Sequence, residues 1–504
     1  MVEIMDTTLR DGEQMKDVSY TSAEKLTISR MLLEEVNVDR VEITSARVST
    51  GEKQTVSTII DWAGKQNCIE RIEILGFTDI TKSVDWISDV GGRVMNILAK
   101  GWLAHVNKQL RKTADEHIAD IRKTIDYAMK KGVTCNIYLE VWSNGMIESP
   151  DFIYTMIDSI KDTPVRRFML PDTLGIFSPE QVKTYISDLI HRYPDLHFEF
   201  HGHNDYGLAT ANTIAAVKAG VHGIHCTVNG MGERAGNTSL DEAVVGIHDF
   251  LGIKTGVNEK KLYNVSEAVE IFSGKRIPSN KPITGYNVFT QTAGIHADGD
   301  KKGNLYVNPL LPERFNRKRQ YALGKLSGKS NLEYNLKELG IELNEEQKKK
   351  ILERIIELGD RKETITQEDL PYIITDVLER PHERKFNVES CIIVSSKGMK
   401  SIATIKLHYK KSESYSAQEY EETGQGDGGY DAFMNAIKKI AKKLGYSIPE
   451  LVDYQITIPP GGKTDALVQC SITWRNHKNF VTKGVNPDQV LAAAEATEKM
   501  LNLL

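Results

Sequence analysis

Five cysteines in 504 residues, at positions 68, 135, 226, 391 and 470, never fall into a Cys-x-x-Cys pair. That spacing excludes a zinc knuckle and a disulfide framework, and it fits a reducing compartment. Aromatic residues are sparse at 7%, and no apolar stretch approaches the ~20 residues that cross a bilayer. A dominant charge sign is also missing. The 64 Lys and Arg are interleaved with 69 Asp and Glu, for a net charge of −5. Neither a nucleic-acid footprint nor a polybasic membrane patch is therefore expected. The first strand-like run opens at residue 2, so no leader is expected and the cytoplasm is the expected location. With 40% apolar and 26% charged residues the chain reads as an ordinary globular protein, too long for one core.

What is present is a repeat. Up to about residue 230, eight short strand-like runs (2–5, 40–43, 71–75, 94–98, 134–139, 167–170, 197–200 and 223–228) alternate with segments of helical periodicity. Thr21 and Glu24 have the spacing of a capping box before one of these. Eight strand–helix units predict an α/β fold, a (β/α)8 TIM barrel, over 1–270. An open doubly wound sheet usually carries a Gly-rich phosphate loop after its first strand; here Arg10-Asp11-Gly12-Glu13 follows instead. A connecting region is expected over 271–385, mostly helical, with a helix over 345–358, Asn344 as its N-cap and Gly359 as its stop. Over 386–504 two strand-strand-strand-helix units predict an α+β module of two βββα repeats, without a catalytic constellation and suited to regulation.

Polar residues gather where the barrel strands end, which is where barrel active sites sit: Asp6, Arg10, Asp11, Glu42, Lys100, Glu140, Asp172, Thr173, His201, His203 and Asn229. His201 and His203 are two apart on one run and so share a face, with Phe198 and Phe200 on the other. Two imidazoles and the Asp11 carboxylate at one mouth make a site for a divalent metal (Mn, Mg, Zn or Co) with positions open to substrate. Asn237 is available as a fourth ligand. Arg10 beside Asp11 reads either as support for an oxyanion on a metal-bound carbonyl or as a salt bridge to Glu140 or Asp172. The metal and arginine together suit a 2-oxo acid, chelated through its carboxylate and carbonyl oxygens. Glu140 reads as a residue that orients or serves a general base, or as a structural ion pair.

Residues 6–14, Asp-Thr-Thr-Leu-Arg-Asp-Gly-Glu-Gln, resemble the signature of the metal-dependent barrel family that contains the 2-isopropylmalate, homocitrate and citramalate synthases. His201-Gly-His203-Asn204-Asp205, with the run to Asn212, is similar to its second motif, and residues 229–237 to its third. The C-terminal repeats resemble the family's amino-acid-sensing module, so the likeness covers the whole chain. It implies condensation of acetyl-CoA with a 2-oxo acid and hydrolysis of the thioester. It also implies metal ligation by Asp11, His201, His203 and Asn237, Arg10 at the carbonyl oxygen, and Thr173 on the substrate carboxylate. Glu140 and His296 would handle the acetyl methyl proton. In the family that histidine often comes from the partner subunit, which implies a homodimer. Lyases of the hydroxymethylglutaryl-CoA type carry a cysteine in the loop after the eighth strand; here residues 230–237 have none.

Beside the metal, Leu75, Leu98 and Tyr138 offer no cation for the distal carboxylate of 2-oxoglutarate. Their bulk leaves room for a methyl rather than an isopropyl group. With Asn304, Leu305 and Tyr306 they resemble the pyruvate-specific citramalate synthases of the family. Pyruvate is therefore the expected substrate and isoleucine the expected effector. The alternative is 3-methyl-2-oxobutanoate, as in 2-isopropylmalate synthesis, with leucine. Residues 428–432 and 459–466 resemble the effector loops, with Tyr430, Asp431 and Tyr454 as ligand residues; turn and cap chemistry is their plain alternative. A non-catalytic amino-acid sensor, or a metal-dependent aldolase or decarboxylase, would be built on the same barrel.

Overall fold

The computed structural model describes residues 1–360, 365–378, 385–410, 416–457, 468–476 and 479–504. Eight parallel strands close into a barrel in chain order: β1 (Glu3–Asp6), β2 (Arg40–Ser45), β3 (Ile72–Phe77), β4 (Val94–Lys100), β5 (Thr134–Glu140), β6 (Phe168–Asp172), β7 (Phe198–Gly202) and β8 (Gly223–Cys226). Pairing of β1 with both β2 and β8 completes the ring. All eight expected runs are strands. Most run one or two residues further at their C-terminal ends than the apolar pattern suggests, because the backbone ladder continues past the last apolar residue. The last is shorter than expected: β8 stops at Cys226 and Val228–Gly230 is a tight turn with Asn229 at φ 60°.

Helix starts follow their caps. Thr21 N donates to the Glu24 carboxylate at 2.7 Å, and Glu24 N donates to Thr21 Oγ1 at 3.3 Å. Thr113 with Glu116 and Ser178 with Gln181 repeat the device. Among the described residues no helix is long and apolar enough to cross a membrane.

Strand alternation sorts the barrel into two environments. Ile4, Val41, Ile43, Ile72, Ile74, Ile97, Phe198 and Phe200 face outward into one continuous core beneath the helices. The inward set is different. Met5, Leu75, Tyr138 and Met169 form a small separate cluster with the half-buried Leu98. Nearer the strands' N-terminal ends the lumen is ionic. Arg40 donates across the barrel to Glu199 at 2.5 Å and to Glu73 at 2.9 Å, and Arg167 Nε lies 3.1 Å from Glu199. Barrel interiors are usually filled by branched apolar side chains; this one is held by paired charge.

Two compact units divide the chain: Met1–Phe289 with Asn308–Lys318, and Thr290–Val307 with Arg319–Leu504. The expected connecting region, 271–385, is thus shared between them. Lys281 explains part of this: it is buried and its Nζ lies 2.6 and 2.9 Å from the two Asp241 carboxylate oxygens of the barrel unit. Phe289 stacked on Phe315 at 5.7 Å holds the second piece to the same unit.

In the second unit β9 (Thr290–Gln291) pairs with β10 (Gln320–Tyr321). The helices Lys329–Glu338, Glu345–Asp360 and Leu370–Leu378 supply a core that includes Leu332, Leu336, Ile351, Ile355 and Leu370. Asn344 caps as expected, accepting from Gln347 N at 2.9 Å. Gly359 does not stop its helix, which continues to Asp360; the glycine is needed because a Cβ there would strike the backbone of Gly324 and Lys325.

Two antiparallel sheets follow: β11 (Phe386–Val394), β12 (Ser401–Tyr409) and β13 (Gln418–Gly426), then β14 (Glu450–Thr457), β15 (Val468–Arg475) and β16 (Asn479–Asn486). The helices Gly429–Leu444 and Gln489–Leu501 close the two βββα repeats, and both halves share one core around Phe433, Ile437, Ile472, Trp474 and Met500. In each half a strand glycine, Gly424 or Gly484, lies against the carbonyl of an alanine eight residues on, Ala432 or Ala492. The repeat is therefore a packing solution used twice.

Removing the lumen arginine tests the ionic filling. Arg40→Met should cost about 3–5 kcal/mol in urea unfolding, because Glu73 and Glu199 stay buried with a partner lost. A loss below about 1 kcal/mol would mean the lumen carboxylates are not held by Arg40.

Candidate active site at the barrel mouth

The chain reaches the mouth through a tight turn. β1 ends at Asp6, and the Thr7 carbonyl then accepts from the N–H groups of Arg10, Asp11 and Gly12 at 3.1, 2.8 and 3.1 Å. Asp11 therefore stands on a turn after the strand, not on the strand end that its flanking pattern suggests. The turn returns its carboxylate to β7. Asp11 Oδ2 lies 3.0 Å from His201 Nε2 and 3.8 Å from His203 Nε2, and the two Nε2 atoms are 3.2 Å apart. All three residues are buried.

Ligand atoms at adjacent positions around one ion, each about 2.1 Å from it, stand about 3 Å apart. The spacing of this set is of that order. Asp11 Oδ2 and the Nδ1 atoms of His201 and His203 are buried without hydrogen bonds, and so is Asn237 Oδ1. Asn237 bridges to His203 across the backbone and gives its Nδ2 to the Met231 carbonyl at 2.9 Å, which leaves Oδ1 bare. The loop bearing Asn237 folds this tightly because Gly236 has φ 89° and a Cβ there would collide with the Gly230 carbonyl.

Electrostatics put these groups in the form a cation needs. Burial pushes Asp11 upward, but Arg10 and then His201 outweigh it and hold the carboxylate well below its usual range. Burial lowers His201, and it takes His203 to about 4, with the neighbouring His201 adding to the effect. At neutral pH the set is one carboxylate and two neutral imidazoles, the state that binds metal. The donor set fits a divalent ion.

Arg10 is clamped in a way the sequence pattern did not indicate. Its Nε donates to Glu42 Oε2 at 2.6 Å, its Nη2 to the Tyr138 hydroxyl at 3.3 Å, and its Nη1 lies 3.3 Å from Asp11 Oδ1. The salt bridge expected to Glu140 or Asp172 is replaced by one to Glu42, which β2 delivers fully buried. Asp172 instead accepts from the N–H groups of Ile176 and Phe177. Asp6 accepts from Thr8 N, and burial lifts its carboxyl to about 7. Asn229 turns away, bonded to Ser266 through both amide atoms.

Glu140 is ion-paired with Lys100, and both are part-exposed at the mouth. The next residue, Val141, holds φ 60°, an outlier for a β-branched side chain. Its N–H donates to Thr173 Oγ1 at 2.9 Å, so Thr173 latches the turn that carries Glu140 and still has its hydroxyl proton to give. Arg234 joins this rim, donating to both Asp205 oxygens at 2.8 and 2.9 Å and to the Thr173 carbonyl at 2.7 Å.

Leu75, Leu98 and Tyr138 are brought together, with Met5 and Met169. His296, Asn304, Leu305 and Tyr306 belong to the second unit. There His296, on the helix Gly294–Lys301, lies against Tyr306 with ring centroids 4.3 Å apart. Asn304 takes φ 57°, and Ile295 and Leu305 are strongly exposed.

Tyr430, Asp431 and Tyr454 line a pocket of about 440 Å³ in the C-terminal module, together with Leu451, Ile456 and Val490. Residues 459–466, the other expected effector loop, lie outside the described residues. Gln489 and Val490 were missed, although their place at the second repeat's helix start mirrors Gly429 and Tyr430 in the first. Glu42 was among the polar strand-end residues, whereas Asn96, which donates to it at 2.7 Å, and Asn136, which donates to Asn96 at 2.8 Å, were missed. Their signal was available: each stands two residues before a pocket residue on its own strand, Asn96 before Leu98 and Asn136 before Tyr138, and so shares its face.

Residues 1–269 match the HMGL-like family model. Residues 283–363 match the homocitrate synthase post-HMGL domain-like model, and 364–504 the LeuA allosteric (dimerisation) domain. The chain is 33% identical over 505 residues to the (R)-citramalate synthase CimA of Methanocaldococcus jannaschii, covering 100% of this chain and 99% of that one. It is also 33% identical over 510 residues to the 2-isopropylmalate synthase of the same organism, covering 99% and 94%.

A metal at this centre should stabilise the fold. Adding Mn²⁺ or Mg²⁺ at ~100 times its Kd should raise unfolding stability by about 2.7 kcal/mol in calorimetry, and Asp11→Asn should abolish the rise. An equal rise in that variant would place the ion elsewhere.

Proposed function

The chain belongs to the HMGL-like family and is an acyltransferase of the acetyl-CoA:2-oxo acid synthase type. On that premise we propose that it is an (R)-citramalate synthase, condensing acetyl-CoA with pyruvate and releasing CoA by thioester hydrolysis. Overall identity does not choose the substrate, since the named citramalate and isopropylmalate synthases are equally similar. The observation that carries the choice is the closed cluster of Leu75, Tyr138, Met5 and Met169 with Leu98. Tyr138 reaches Arg10 with its hydroxyl, so the cluster adjoins the residue that would meet the substrate carbonyl. An isopropyl group would have to displace well-packed side chains, and a site too small excludes more firmly than one too large.

Asp11, His201, His203 and Asn237 would hold the divalent ion, which supplies Lewis acidity to a 2-oxo acid carbonyl. Arg10, fixed by three acceptors, offers a guanidinium edge to the oxygen on which charge develops. The Thr173 hydroxyl is free to donate to the substrate carboxylate. Glu140, part-exposed at the mouth beside Lys100, is the candidate to orient the removal of the acetyl methyl proton, with His296 as its partner. The exposure of Ile295, Leu305 and Tyr306 beside His296 suits a segment that completes the site within a homodimer.

The pocket at Tyr430 is proposed as the feedback site. Leu451, Ile456 and Val490 offer an apolar wall for a branched side chain. The amides at the start of the helix Gly429–Leu444 suit a carboxylate, and Asp431 an ammonium. Isoleucine is the expected effector, and leucine the effector if the substrate is 3-methyl-2-oxobutanoate.

Thiol release from acetyl-CoA with Mn²⁺ should be at least about tenfold faster per kcat/KM on pyruvate than on 3-methyl-2-oxobutanoate. Leu98→Ala should raise use of the branched acid about 10–100-fold. Preference of the wild-type chain for the branched acid would move the assignment to 2-isopropylmalate synthase. Isoleucine should inhibit the wild-type enzyme, and Tyr454→Ala should lower its apparent affinity about tenfold or more while leaving uninhibited turnover near normal. Inhibition by isoleucine that survives Tyr454→Ala unchanged would remove this pocket from the regulatory reading.

A further inference from the structure

One imidazole inside the barrel is used by none of the chemistry above. His225, on β8, is fully buried; its Nε2 lies 2.9 Å from Glu199 Oε2 and its Nδ1 lies 3.1 Å from the Tyr138 hydroxyl. Glu199 is an ionised carboxylate, with Arg40 at 2.5 Å and Arg167 at 3.1 Å, so it can only accept. A neutral His225 therefore carries its one proton on Nε2 and donates it to Glu199, which leaves a lone pair on Nδ1.

Tyr138 has a single hydroxyl proton and two acceptors in reach, His225 Nδ1 at 3.1 Å and Glu42 Oε2 at 3.4 Å. The shorter contact takes it. The phenol oxygen then keeps its lone pairs for Arg10 Nη2 at 3.3 Å, while Glu42 is left to Arg10 Nε and to Asn96, whose amide donates at 2.7 Å. Asn96 is held in turn by the Asn136 amide at 2.8 Å. The direction of one proton is thus set by the arginines at one end of the lumen and read by the arginine at the other. The ring of Tyr138 also stands edge-on to His225, with centroids 5.4 Å apart.

We propose that His225 is a positioning residue for 2-oxo acid recognition: it fixes the rotation of the Tyr138 hydroxyl and ring, and through them the plane of Arg10 and the width of the substrate pocket. The inference rests on the synthase reading for its kinetic consequences, though not for the hydrogen-bond geometry itself. Its role differs from that of a merely structural histidine in a checkable way, because its effect must pass through the Tyr138 oxygen.

Two substitutions separate the cases. His225→Asn keeps an acceptor near the place of Nδ1, and His225→Leu removes it. His225→Leu should raise KM for pyruvate, lower kcat/KM about tenfold, and narrow the preference for pyruvate over 3-methyl-2-oxobutanoate. His225→Asn should restore most of both. In a Tyr138→Phe background His225→Leu should cost little further. Losses that multiply in the double variant, or equal losses in His225→Asn and His225→Leu, would overturn the proposal. A second readout needs no substrate. In full-length protein labelled with ¹⁵N-histidine and loaded with Mg²⁺, the resonance lost in His225→Asn should report Nε2 protonated and Nδ1 bare, and should shift in Tyr138→Phe. An Nδ1-protonated ring would sink the inference even in an active enzyme. A wild-type chain that releases no thiol with any 2-oxo acid would sink the synthase reading and leave this spectroscopic result to decide the geometry.

Discussion

A guanidinium sealed inside a barrel demands carboxylates around it, and Arg40 imposes that demand on its neighbours. Burying an ion costs several kcal/mol that only well-placed partners offset. Glu73 and Glu199 meet the need from β3 and β7, on different sides of the lumen. Glu199, once ionised, then constrains His225, and His225 constrains Tyr138. An apolar lumen would have been at least as stable, since replacing buried ion pairs by packed hydrocarbon is often neutral or favourable. What paired charge adds is direction. Dispersion contacts tolerate rotation of a side chain, whereas a hydrogen bond weakens steeply when misaligned, so an ionic lumen holds the groups above it in set orientations.

The same economy of acceptors shapes the mouth. Asp11 serves three neighbours at once: Oδ1 faces the Arg10 guanidinium and Oδ2 faces the two imidazoles. Arg10 keeps the carboxylate ionised, and burial keeps the imidazoles neutral. A cation-binding set is thereby assembled without a net negative cluster that would repel itself. The bare Asn237 oxygen adds a neutral ligand. Glu42 matters here because it takes up Arg10 from the other side. Without it the arginine would be free to close down on Asp11 and compete with the cation for that carboxylate.

Much of this was legible in the residues. The eight runs carry enough apolar alternation to place every barrel strand, and Thr21 with Glu24 announces its helix by side-chain chemistry alone. His201 and His203 could be paired because period two is a property of strands. Asp11 was found for its chemistry and misread for its backbone, since a turn in which one carbonyl accepts three N–H groups leaves little mark on hydropathy. Gly359 misled for the opposite reason: a glycine after an amphipathic stretch usually ends a helix, yet here it answers to a chain crossing it from residues 324 and 325. Tertiary contact was invisible to local pattern. The lumen network was missed because charged residues inside strands read as solvent-facing until the barrel closes around them.

The C-terminal module follows a different principle, duplication. Each half buries one helix on one sheet through a glycine set against an alanine, and the two halves then share a core. The pocket at Tyr430 is lined from both halves, by the start of Gly429–Leu444 and by the start of Gln489–Leu501. Tyr430 itself spans them, its hydroxyl 2.8 Å from Thr497 and its ring 5.1 Å from that of Tyr454. A ligand seated there would therefore act on the arrangement of the halves rather than on either alone. Such a ligand alters catalysis only by its differential affinity for two arrangements, and reciprocity then requires that substrate binding change its affinity by the same factor. A duplicated module can regulate on those terms, because what it contributes is a second equilibrium.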